Sequence, residues 1–286
     1  MNIAESESLQ LPFRNTAVLD AQRTATLRRL VRRCAGLPER GAGLNRPGPV
    51  DAFIITHPCV QALVTDHFPG HTSLVHVSQD IELRQELSVD TAYTSSSYIT
   101  MARAAVGGAD VMVTCTLDTA EHAEVAAVLR AQIRLGGVSP EEISAVEINQ
   151  DTPAVARIHP VREGMQQTSS LRFTHADVVE YARCSGDDNP IHLDDKAGRA
   201  AGFEGAIVHG MAVVAASFET VLNAFADNDI RRVSRLAARF SAATPVDAVS
   251  RCEITGSPGQ GAVSFKVTGP LGTSVKNGHV MLAVGS

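Results

Sequence analysis

Several features are scarce in this 286-residue chain, and each scarcity closes off a class of protein. No apolar run approaches the roughly 20 residues that a membrane-spanning helix needs. Basic residues do not outnumber acidic ones, and the formal net charge of −6 argues against a nucleic-acid partner, whose binder is usually basic. Met1 to Gln10 lack the basic start and apolar core of a secretory signal, so the cytoplasm is the expected compartment. The five cysteines (Cys34, Cys59, Cys115, Cys184, Cys252) are scattered and never form a C-x-x-C pair. Neither a disulfide framework nor a zinc site is therefore expected, and each thiol reads as a small buried apolar group. No G-x-G-x-x-G follows a strand-like run, and no redox cofactor is expected.

What is present is ordinary in bulk and specific in detail. Hydrophobic residues make up 44% and charged residues 20%, as in a soluble globular protein of one large or two medium domains. Residues 183 to 192 read Arg-Cys-Ser-Gly-Asp-Asp-Asn-Pro-Ile-His, and His209-Gly210-Met211 follow. Asp187 and His192 are spaced so that a loop can curl both side chains toward one point, such as a water molecule. Gly210 opens an apolar helix, where unpaired N–H groups suit a developing negative charge.

A fainter echo of this segment lies earlier. Arg33-Cys34-Ala35-Gly36 matches Arg183-Cys184-Ser185-Gly186, Ile55-Thr56-His57 matches Ile207-Val208-His209, and Ser88-Val89-Asp90 matches Pro245-Val246-Asp247. The shared order at similar spacing points to a duplicated unit. Under this pairing the first copy has Leu37 for Asp187, Ala42 for His192 and Pro58 for Gly210, which leaves one armed site per chain. His209 reads as structural, because His57 stands at its paired place in the unarmed copy.

The periodicity predicts a similar run of elements in each copy. In the second, Thr174 and Asp177 form a capping pair for a helix to about Cys184, which Gly186 to Pro190 must break. Asp194 and Asp195 are placed to cap a short helix at Lys196 to Ala201. A buried helix over Met211 to Phe225 presents Val214, Phe218, Val221 and Leu222 on one face. Strands follow at Val233–Ser241, Val249–Ile254, Ala262–Val267 and Ser274–Val284. In the first copy the apolar helix is expected at Pro58 to Asp66, with strands at Leu74–Leu83, Ala92–Ala105, Asp110–Leu117 and Val125–Leu135. Residues 1–17 read as a loose lead-in, and the stretch from Gly136 to about Gly164 as a connection with a short strand at Ile143–Ile148. Arg23, Arg28, Arg29, Arg32 and Arg33 along Ala21 to Cys34 read as a solvated helix face or an acidic-partner surface.

The run Ser185-Gly186-Asp187-Asp188-Asn189-Pro190-Ile191-His192, with Gly202-Phe203-Glu204 and Ile207-Val208-His209-Gly210-Met211, resembles the MaoC-like (R)-specific enoyl-thioester hydratases, also called hydratase-2. The resemblance implies an α+β double hot-dog, two tandem units in each of which an antiparallel sheet wraps a central helix. Residues 1–140 would be a unit without the catalytic pair, 141–164 a linker and 165–286 the catalytic unit. It further implies reversible hydration of a trans-2-enoyl thioester, or dehydration of the (R)-3-hydroxyacyl thioester. Asp187 and His192 would activate the water, Gly210 would bind the thioester oxygen, and Asn189 would shape the loop or touch substrate. Partners would be acyl-CoA or acyl-ACP, with the acyl carrier protein itself possible, and Arg231, Arg232, Arg235 and Arg239 are the candidate anion-binding patch. A homodimer is also compatible. A metal held by Asp187, Asp188, His192, Asp194 and Asp195 is not expected, since their spacing fits no ligand pattern. The alternatives are a hot-dog thioesterase, an enzyme adding an internal hydroxyl to the enoyl thioester, and a non-catalytic acyl-binding subunit.

Overall fold

The computed structural model describes residues 13–41, 43–119, 124–150, 161, 163–257 and 261–283. In chain order the first part holds β1 (Phe13–Val18), α1 (Ala21–Cys34), α2 (Pro49–His67), β2 (Ser73–Leu83), β3 (Ala92–Ala105), β4 (Gly108–Thr119), β5 (Val125–Gly136) and α3 (Pro140–Ala145). The second holds β6 (Met165–Arg172), α4 (His175–Ser185), α5 (Pro190–Leu193), α6 (Asp195–Ala200), α7 (Gly210–Phe225), β7 (Val233–Phe240), β8 (Val249–Gly256), β9 (Ala262–Gly269) and β10 (Gly272–Leu282).

All ten strands join one antiparallel sheet in the order β1-β3-β4-β5-β2-β7-β10-β9-β8-β6. Outward from the β2–β7 junction the two arms repeat the same order, with β2, β5, β4, β3, β1 matching β7, β10, β9, β8, β6. One arm packs around α2 and the other around α7, so the architecture is an α+β double hot-dog. The junction is a backbone ladder from Ser78↔Arg239 to Glu82↔Arg235. Arg235 crosses it to bind both Asp80 carboxylate oxygens, which removes this arginine from the anion-binding patch expected from the sequence. Among the described residues no helix is long and apolar enough to span a membrane.

The long helix α7 is buried on nearly every side, which an amphipathic reading understates. Its hydroxyls are satisfied locally, Ser217 donating to the Val213 carbonyl and Thr220 to that of Ala216. Its one carboxylate, Glu219, takes Arg28 Nε at 2.6 Å and Arg32 Nη1 at 2.9 Å. Both arginines are therefore core groups, about 4% exposed, and do not form a solvated face. Arg29 and Arg33 remain outside, and Arg33 reaches Asp177 and Glu180 of α4.

Three further expectations are corrected. The apolar helix of the first arm begins at Pro49, not Pro58. Gly48 precedes it, Asp51 closes a capping box, and Pro49 takes the first position, where a missing N–H costs nothing. Pro58 lies inside α2. There it deprives the Ile54 carbonyl of its usual donor. The connection after β5 forms a helix, α3, where a strand was expected, because Ser139, Pro140 and Glu142 make a capping box with proline at the first turn. Part of the expected lead-in is ordered, since β1 pairs with β3 from Phe13↔Ser97 to Val18↔Ala92. Residues 1–12 of that lead-in, Ala42, and residues 151–160 of the connection lie outside the described residues.

The duplicated anchors divide in the same way. Gly36 and Gly186 both turn the chain after a helix with positive φ, 67° and 76°. Asp90 and Asp247 both take φ near 60° and donate an N–H across to Leu19 and Phe173. The middle pair does not correspond, because His57 lies in mid-α2 while His209 caps the start of α7. Gly210 is therefore matched by Pro49, the first residue of α2. That residue is also without an N–H.

Candidate active site

The Asp187 loop is built by local capping. Gly186 ends α4 in the left-handed region, and Ser185 Oγ accepts the Asp187 N–H at 3.2 Å. Asp187 Oδ1 then accepts the Asn189 N–H, and Asn189 Oδ1 accepts that of Ile191, both at 3.3 Å. Asn189 thus caps α5, with Pro190 at its first position, and the short helix carries His192 inward to 8% exposure. Asp188 stays exposed. Asp194 caps α6 through the Ala197 N–H, while Asp195 Oδ1 takes the Ala206 N–H and ties down the returning loop.

His192 and His209 are oriented by backbone carbonyls. His192 Nδ1 lies 2.8 Å from the Ile207 carbonyl, and His209 Nε2 lies 3.0 Å from that of Asp187. A carbonyl can only accept, so these nitrogens carry the hydrogens, and each neutral ring keeps its lone pair on the other nitrogen. The two rings stack at 3.9 Å between centroids, and Tyr181 packs against His209 in a tilted arrangement at 4.9 Å. One ligating atom from each of Asp187, His192 and His209 falls within 4.8 Å of the others. The structure thus brings the expected acid and imidazole together and adds a third group, His209. The pairing with His57 hid that role; the signal available in the sequence was its place immediately before Gly210. These three are the residues best placed to hold a metal among those described, though each imidazole already has one nitrogen committed to a carbonyl.

Gly210 opens α7 beside this group, and as the first helical residue its N–H has no carbonyl one turn back. A Cβ there would come within 3.0 Å of the Phe240 ring. All these groups line one cavity of about 800 Å³, in the range of small-molecule sites. Asp187, Asn189, His192, His209 and Gly210 supply one polar region, whereas Val60, Val64, Val113, Leu129 and Ile133 of the first arm supply an apolar wall.

Burial lowers the pKa of His57, His76, His192, His209 and His279, to about 4 for His76 and His209. Unfolded histidines take up protons near pH 6.5, before these folded ones do. Stability is therefore full above that pH and falls as the pH drops toward the folded-state values. A melting temperature that declines steadily from about pH 6.5 to 4 is expected; one that stays flat over that window would contradict the burial of these rings.

Residues 158–258 match the profile of a family described as the MaoC like domain. The chain is 44% identical over 59 residues to the peroxisomal multifunctional enzyme type 2 of Mus musculus, a match covering 21% of this chain and 8% of that protein. It is 26% identical over 176 residues to a Dictyostelium discoideum protein named "Probable enoyl-CoA hydratase 2", covering 59% of this chain and 55% of that one. The chain thus spans about half or less of the length of these curated relatives. Among solved structures, a MaoC-like dehydratase from Phytophthora capsici superposes with a TM-score of 0.75 at 15% identity, covering 97% of this chain and 98% of the other.

Proposed function

We propose, from the premise that residues 158–258 form a MaoC-like domain, that this protein is a hydro-lyase that reversibly adds water to trans-2-enoyl thioesters. The observation that carries the reading is the meeting of Asp187, His192 and the Gly210 helix start in the wall of a largely apolar cavity. The name of the Dictyostelium discoideum relative, "Probable enoyl-CoA hydratase 2", agrees with it. A fold alone would not choose between reactions, because hot-dog frames carry several chemistries.

In this reading the pantetheine thioester places its carbonyl oxygen at the Gly210 N–H, where the helix start stabilises the enolate. A water donates one hydrogen bond to the Asp187 carboxylate and one to the His192 Nε2 lone pair. Its oxygen attacks the β carbon as Asp187 takes a proton. Asp187 then returns that proton to the α carbon, leaving a 3-hydroxyacyl thioester. His209, stacked on His192 and bonded to the Asp187 carbonyl, is a positioning residue. The acyl chain runs along the first arm's apolar wall. That arm, taken as residues 1–140 and joined through 141–164 to a catalytic unit of 165–286, has Leu37 and Pro49 where the second has Asp187 and Gly210, and contributes space without chemistry. Coenzyme A and a carrier protein are both candidates for the thiol; of the expected arginine patch Arg239 is exposed, while Arg231 binds both oxygens of Asp229 and Arg232 pairs with Asp227.

The test is the absorbance of a trans-2-enoyl-CoA on adding the protein, with free thiol followed in parallel. Loss of conjugation without thiol release is expected; thiol release would mark a thioesterase. Gly210→Ala is expected to lower kcat/KM by about 10- to 100-fold, because the added methyl displaces Phe240 and with it the thioester. Unchanged kinetics in this variant would remove Gly210 from the carbonyl site.

A further inference from the structure

The cavity wall from the first arm is interrupted by two imidazoles that the mechanism does not use. His57 on α2 and His76 on β2 both line the cavity. The Nε2 of each is buried and has no hydrogen-bond partner among the described residues. A strip of rings links them to the reaction site. Phe240 lies against Gly210, His76 lies 4.8 Å from Phe240, and Phe53 lies 6.0 Å from His76 and 5.1 Å from His57. A chain leaving a carbonyl held at Gly210 and following this strip passes both rings, which lie near enough to Asp187 to feel its charge. Burial keeps both rings neutral at neutral pH, so the open Nε2 of each presents either an N–H or a lone pair, while the His76 ring also interacts with Gln79 and the Ser78 backbone.

An alkyl chain laid over this strip leaves two buried nitrogens without partners, a costly arrangement. A chain bearing an oxygen at the right carbon supplies one. The last ring torsion of histidine is soft, so a small rotation brings Nε2 onto such a group. A hydroxyl both donates and accepts and therefore serves either tautomer. We propose that His57 and His76 form a specificity subsite for an oxygen substituent, above all a hydroxyl, carried on the acyl chain beyond the reacting double bond. The preferred substrates are then oxygenated enoyl thioesters, with plain alkyl ones secondary. This assignment rests on the hydratase reading of the same cavity.

The experiment compares a medium-length trans-2-enoyl pantetheine thioester with counterparts hydroxylated in turn at each carbon beyond the double bond. Each is given to wild type, His57→Phe and His76→Phe, the phenyl ring preserving the stacking. At least one hydroxylated counterpart is expected to exceed the plain chain by about tenfold or more in kcat/KM, since a site built for a hydroxyl discriminates strongly against its absence. That ratio is expected to fall to unity or below in one or both variants. A merely structural role would lower both substrates together and leave the ratio intact. Preference for the plain chain over every counterpart, or an unchanged ratio in both variants, overturns the subsite. Calorimetry with the saturated forms of the same chains reads the preference without turnover. Absent turnover on every chain would therefore count against the hydratase reading, while the binding preference would still decide the subsite.

Discussion

Asp187→Asn is expected to lower kcat for enoyl-thioester hydration by between about 100- and 10,000-fold while leaving KM nearly unchanged. The substitution is close to isosteric, and the new side-chain oxygen can still accept the Asn189 N–H that shapes the loop. What is lost, on the proposed mechanism, is the carboxylate that takes and returns the proton. His192→Ala is expected to fall in the same range, because the water would keep only one of its two acceptors. If both act on one water as proposed, the double variant should be little worse than the poorer single one, as for groups that work as a unit. Steady-state kinetics beside melting curves would check this. Activity retained in Asp187→Asn, or losses that simply follow reduced stability, would remove the pair from the chemistry.

The largest effect on stability is expected at Glu219. Its carboxylate is 2% exposed and is shared by Arg28 and Arg32, which are 5% and 4% exposed. Glu219→Leu leaves two buried guanidinium groups without their counter-charge, a change that costs about 3–5 kcal/mol and lowers the melting temperature by about 6–20 °C. Arg28 would keep the Gly43 carbonyl, and Arg32 those of Pro38 and the Asn228 side chain, but these do not neutralise charge. Replacing Arg28, Arg32 and Glu219 together with apolar residues of similar size should recover most of the loss, because the desolvation of all three charges is then avoided. Thermal melting of the single and triple variants separates the two cases. A single variant as stable as wild type would mean that the triad does not fasten α1 to α7. The link bears on the site, because α7 begins at Gly210.

The elements that could be read from the chain are those whose signals are local. Thr174 and Asp177 announced α4, Gly186 announced its end, and β3 ran from Ala92 to Ala105 as expected, rich in β-branched and aromatic residues and closed by the Gly107-Gly108 turn. The loop from Ser185 to His192 was legible because capping and proline place it without help from distant residues. Where two local signals competed, the wrong one was easily chosen. Pro58 and Pro49 both suit a first turn, and only the capping box of Asp51 separates them. The burial of Arg28 was not legible at all, since its partner Glu219 lies 191 residues away and periodicity carries no information about such a pair. The match with His57 makes His209 read as merely structural, although His57 lies in mid-α2 and His209 before the first residue of α7, and the two share only the cavity. That cavity is made by both arms together, and for this reason its oxygen-seeking rings could not be anticipated from either arm's motif.

The most direct test of the central claim is to supply a trans-2-enoyl thioester in water labelled with heavy oxygen and to locate the label by mass spectrometry. Addition of water by the Asp187–His192 pair places the label on the β carbon's hydroxyl, releases no thiol and leaves the thioester carbonyl unlabelled. Label in a released carboxylate would identify a thioesterase. A saturated product without label would identify an internal hydroxyl as the nucleophile. Either result would contradict the account.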